Sequence, residues 1–97
     1  MMYPYISFPG MDNLGDIEVT HSQILTKNDV QTVEVHFERA TETGFETARC
    51  ELPFYKWIVR DGFSDAEIKD FEEFLQRNAH LIFRFAARGG LFYAKSI

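Results

Sequence analysis

A long helix with both of its ends written into the chain is the tightest constraint on this fold. Ser64-Asp65-Ala66-Glu67 fits a capping box, in which the Ser64 hydroxyl accepts from the Glu67 amide and the Glu67 carboxylate accepts from the Ser64 amide. Phe63 and Ile68 occupy hydrophobic-staple positions around it. Asp65 and Glu67 suit the positive end of the helix dipole, and Arg84 and Arg88 suit the negative end. Gly89-Gly90 supplies a stop. Between these signals Ile68, Phe71, Leu75, Asn78, Ile82 and Phe85 recur at three- or four-residue spacing, widened by Phe74 and Leu81. The spacing predicts a helix over about 65–88, within a capped segment 63–90. At 1.5 Å per residue it would run roughly 36 Å, longer than a small three-stranded sheet covers. The expectation is either a break near Asn78-Ala79-His80 or a second half packed on something else.

Upstream the period changes to two. Ile17, Val19 and His21 fall on one face of a strand, with Glu18, Thr20 and Ser22 opposite. Lys27-Asn28-Asp29 is a turn cluster. Val33, Val35 and Phe37 then alternate with Glu34, His36 and Glu38. Ala40 to Gly44 reads as a hairpin loop of several residues. In a third strand, Phe45 to Leu52, the inward set is Ala48, Cys50 and Leu52, and Arg49 faces out toward Glu34 and Glu38 for cross-strand charge pairing. Pro53 ends that strand.

These signals divide one domain into an irregular Pro- and Gly-containing arm (1–16), a β-meander (17–52), a crossover (53–62), the helix segment (63–90) and a tail (91–97). The crossover is open between a short helix over Phe54–Arg60 and an extended segment, with Trp57 and Ile58 inward in either case. Part of the arm is expected to dock on the domain or on another subunit. The fold class is α+β: an antiparallel sheet of three or four strands packed against one long C-terminal amphipathic helix.

Composition narrows the function classes. The chain has 97 residues and a formal charge of −5, which disfavours direct binding to nucleic acid or anionic lipid. No apolar run approaches the roughly 20 residues of a membrane-spanning helix. Met1-Met2-Tyr3-Pro4-Tyr5 lacks the basic and apolar regions of a signal peptide. The single cysteine, Cys50, makes a reducing cytoplasm, bacterial or phage-infected, the expected compartment.

No motif for chemistry stands out. A Cys50–His36 nucleophile pair is opposed by the alternation, which sends the two to different faces; a buried cysteine packs as a small hydrophobe. Glu34 and His36 share a face but make only two ligands, and a zinc site takes at least three from the protein. Gly89-Gly90 follows a helix, so no phosphate-binding helix start is formed there. The expectation is no catalytic residue, no metal and no cofactor.

Two features point instead to partners. Asp61, Asp65, Glu67, Asp70, Glu72 and Glu73 crowd within thirteen residues. They form either a solvated helix face or a negative surface for a basic partner. The chain also carries ten Phe, four Tyr and one Trp, more than the roughly eight or nine large aromatics a core of this size absorbs. Tyr3, Tyr5, Phe8, Phe92 and Tyr93 lie toward its ends, either covering the sheet or anchoring a partner.

Glu34-Val35-His36-Phe37, Ala48-Arg49-Cys50-Glu51-Leu52, Gly62-Phe63-Ser64 and Asn78 resemble a family of small bacterial proteins of unknown function encoded near toxin–antitoxin genes. The similarity spans about half the chain. Glu34 stands where that family has the first histidine of a His-x-His pair. The resemblance implies an architecture and no particular activity.

The leading expectation is a noncatalytic protein-binding inhibitor or regulator, similar in general character to phage-encoded anti-CRISPR and other anti-defence inhibitors. Asp61, Asp65, Glu67, Asp70, Glu72, Glu73, Tyr3, Tyr5, Phe92 and Tyr93 would contact a partner, a protein with a basic surface. Two alternatives stand beside it. One is an antitoxin-like or operon-regulatory oligomer, a homodimer through the aromatic termini and distal helix. The other is a small Cys/His or metal-dependent enzyme.

Overall fold

The computed structural model describes residues 2–10 and 14–90. The meander and helix form where the periodicities place them, and the segments on either side of the meander add strands to it. In chain order the elements are β1 (Met2–Pro9), β2 (Asp16–Ser22), β3 (Leu25–Lys27), β4 (Val30–Thr41), β5 (Gly44–Leu52), β6 (Lys56–Asp61) and α1 (Asp65–Ala87). The class is α+β, with every sheet pairing antiparallel. The sheet is six-stranded, in the order β1-β2-β4-β5-β6 with β3 beside the start of β4. That exceeds the three or four strands expected.

Both extra edge strands were concealed by irregularity. The N-terminal segment is a strand and no loose arm: β1 pairs along the length of β2, with a register shift between Pro4 and Ile6. Its two prolines sit on an edge, where a missing ladder donor is tolerated. Residues 56–61 resolve the open choice in favour of extended chain, pairing with β5 around a shift at Arg49/Cys50. A bulge inserts a residue and breaks strict alternation, which is why neither segment shows a clean period of two.

The inward row of β4 is Val33, Val35 and Phe37, all inaccessible to solvent, and β5 contributes Ala48, Cys50 and Leu52. Asn28 and Asp29 take left-handed backbone in the turn between β3 and β4, a conformation short polar side chains accept. The following hairpin is tighter than expected, because Thr41 pairs with Gly44 and only two residues turn. The outward charges also pair differently. Glu34 lies opposite Glu51, Glu38 opposite Thr47, and Arg49 opposite His36. Glu51 is neutralised from β3 instead, by Lys27 at 2.7 Å.

Helix α1 is unbroken over its 23 residues, roughly 34 Å at the standard rise. Ser64 caps it in a complete capping box. At the other end the Gly90 amide donates to the Phe85 carbonyl at 2.7 Å; Gly90 takes a positive φ, and a Cβ there would crowd Tyr3. The distal half is covered by the added strand: the Tyr5 hydroxyl donates to Asn78 Oδ1 at 2.7 Å and its ring tilts against Phe85. Phe37 stacks on Phe71 with centroids 4.3 Å apart, fixing the proximal half over the middle of the sheet. Among the described residues no helix is long and apolar enough to cross a membrane.

Candidate binding surface

The acidic residues of the helix start do not form one surface. Glu67 is buried. Its Oε1 accepts from the Ser64 amide, and its Oε2 accepts from Arg39 Nη1 at 2.7 Å. Arg39 extends the inward row of β4, so its charged end falls under the helix start, where Glu46 of β5 and the Phe63 ring also meet it. Burial alone would raise the Glu67 pKa; the Arg39 and Ser64 hydrogen bonds outweigh it, and the net direction is down. Burial would likewise weaken the Arg39 charge, but bonds to Glu67 and Glu46 leave its pKa raised. Glu67 is thus a buried structural partner of Arg39, and the expectation that it faces a partner is corrected.

Two more members are already engaged. Asp65 receives Arg60 Nη2 at 2.8 Å in an exposed pair, a contact of little energetic weight. Glu72 accepts from the Trp57 indole at 2.9 Å, tying α1 to β6. Asp61 ends β6, exposed on the sheet face away from the helix.

Asp70 and Glu73 remain. Both are exposed, and neither has a hydrogen-bond or ionic partner among the described residues. They border a groove of about 390 Å³ between β1 and α1, floored by Ile6, Phe8 and Phe74 and closed at one end by Arg77. Ile6 is 48 % exposed there. A larger hollow of about 800 Å³ lies over Arg39, Glu46 and Glu67, whose charged ends are bound to one another.

The aromatic anchors divide likewise. Tyr5 is held by Asn78 and packs edge-on to Phe74, and Tyr3 lies over the His21 ring at 5.6 Å. Both are half-buried and engaged within the chain. The reason is that β1 is part of the sheet. Phe92 and Tyr93 lie outside the described residues.

Cys50 and His36 project to opposite faces of the sheet, as the alternation requires. Burial, with lesser contributions from Glu72 and Glu51, pushes the Cys50 thiol up to about 12, so it carries no thiolate at neutral pH. His36 Nε2 lies 2.7 Å from Glu34 Oε1 on the open face. Among the described residues no three His, Cys, Asp or Glu side chains converge as metal ligands.

His21 has no counterpart in the sequence reading beyond its place in an inward row. It is inaccessible to solvent, and Nδ1 lies 2.8 Å from the Ser22 carbonyl, which can only accept. Nδ1 therefore holds the proton, and Nε2 is left as a buried acceptor without a partner among the described residues. Arg39 was more legible. Val33, Val35 and Phe37 alternate directly into it, and an inward arginine demands carboxylates.

Comparison of the chain with known proteins finds no matching family model, no matching curated protein and no matching solved structure.

Proposed function

We propose that this protein is a noncatalytic protein-binding module, an inhibitor or regulator that acts by docking on a basic partner surface. The observation that carries the reading is the contrast among the five acidic residues of the first half of α1. Glu67 and Glu72 are held by Arg39 and Trp57 and Asp65 meets Arg60 in an exposed pair, whereas Asp70 and Glu73 stand unpaired among the described residues beside a partly exposed apolar floor. Apolar contact area with unneutralised charge at its rim is the composition of an association site: the floor contributes affinity, and the charges steer encounter and reject acidic competitors. The complementary occupant is a protein that presents an aliphatic or aromatic side chain flanked by Lys or Arg. Nucleic-acid-binding proteins carry such basic surfaces, and an acidic, small inhibitor of the anti-defence type is the context that fits.

The test is charge reversal of Asp70 and Glu73 together to Lys. Immobilised wild-type and variant proteins are exposed to the same bacterial lysate, and bound proteins are compared by mass spectrometry. The proposal expects a basic nucleic-acid-binding protein that the wild type retains and the variant loses. Its equal retention by a variant with unchanged circular dichroism would remove this groove as the docking site.

A further inference from the structure

The outer edge of β6 carries no pairing strand among the described residues, and its side chains are arranged as a charge palindrome. The bulge matters here. Opposite β5, the ladder positions of β6 are Lys56, Trp57, Val59, Arg60 and Asp61, facing Glu51, Cys50, Arg49, Ala48 and Thr47 in turn, with Ile58 as the extra residue. Partners across a ladder share a face. Lys56, Val59 and Asp61 therefore lie on the open face, and Trp57 and Arg60 on the helix face.

Val59 is the midpoint of these ladder positions. A second strand laid antiparallel to the first about a two-fold axis at Val59, with Ile58 left out of that ladder as it is opposite β5, sets Lys56 opposite Asp61 twice, both pairs on the open face. It also sets Trp57 opposite Arg60 twice, both on the helix face, where each already holds a carboxylate of its own chain, Glu72 and Asp65. Lys56 and Asp61 are exposed, with no ionic partner among the described residues. Ile58 is 47 % exposed at the same edge. An edge lysine ordinarily repels a second strand. Here the mirror position carries the opposite charge, so the same lysine selects a copy of its own chain.

We infer that the β6 edge is a self-association edge, and that its partner is a second copy of this chain. The two sheets join antiparallel edge to edge, with both helices on one side. The interface is isologous, each copy giving and receiving the same contacts. It uses no residue of the Asp70/Glu73 groove, so either site can fail without the other.

Light scattering on wild-type protein raised into the high-micromolar range reads the association directly, and the expected result is a doubled mass. Lys56→Asp leaves both ends of the strand acidic, and Asp61→Lys leaves both ends basic. Each variant alone is expected to run as a monomer, and an equimolar mixture to recover the doubled mass, because every cross-strand pair in the mixed dimer is again opposite in sign. The recovery also shows that both variants are folded. Three outcomes each overturn the inference: wild type that stays monomeric throughout, single variants that dimerise as well as wild type, or a mixture that stays monomeric while wild type dimerises. The double variant at Asp70 and Glu73 is expected to dimerise like wild type, which separates this edge from the proposed docking groove.

Discussion

Arg39 Nη1 donates to Glu67 Oε2 at 2.7 Å, a bond between two buried side chains that joins the far end of β4 to the first turn of α1. Glu67 thereby serves two structures: one carboxylate oxygen completes the helix cap, and the other neutralises a buried arginine.

Removing Arg39 strands the buried Glu67 carboxylate, whereas removing Glu67 leaves Arg39 still paired with Glu46. Arg39→Ala is expected to destabilise the fold by about 3–5 kcal/mol, the cost of leaving a buried charge unpaired, and Glu67→Ala by less, because Arg39 keeps Glu46. Replacing both with Ala should be milder than the sum of the two. Urea denaturation of the four proteins measures this, and additive losses would show that the pair is not coupled.

Stability should fall with acid in two windows. Burial lowers the His21 pKa from 6.5, an effect larger than the opposing bond to the Ser22 carbonyl. The unfolded chain thus takes up the proton first, and stability present above about pH 6.5 is lost as pH falls below it. Glu67, lowered from 4.5, adds a second loss below about pH 4.5. Thermal melts from pH 8 to 3 should show both. His21→Phe should flatten the first alone, and Glu67→Gln the second.

Cys50 should be silent in the native state. Its thiol is inaccessible and its pKa pushed up to about 12, so labelling with a thiol reagent at pH 8 should await unfolding and track the urea transition. Rapid labelling of folded protein would contradict the burial.

The docking of β1 should depend on one hydroxyl more than its edge position suggests. Tyr5→Phe keeps the ring packed on Phe74 and Phe85 but leaves Asn78 Oδ1 without its donor. The expected loss is about 1 kcal/mol, with hydrogen exchange accelerated in β1 and unchanged in β4 and β5.

The helix bounds, its capping box, the inward rows of β2, β4 and β5 and the opposed faces of Cys50 and His36 were determined by the sequence itself. Each follows from a local rule, since period, cap chemistry and alternation act between residues close along the chain. The edge strands were not legible: β1 and β6 each carry a bulge, and β1 two prolines, that erase the period, and only pairing to a neighbour makes them strands. Nor could spacing separate Asp70 and Glu73 from Glu67. Acidic residues three apart on one helix look alike until the sheet places Arg39 beneath one of them and open groove beside the others. Contacts across 28 residues, as between Arg39 and Glu67, depend on where the chain returns in space, and that was decided by tertiary packing alone.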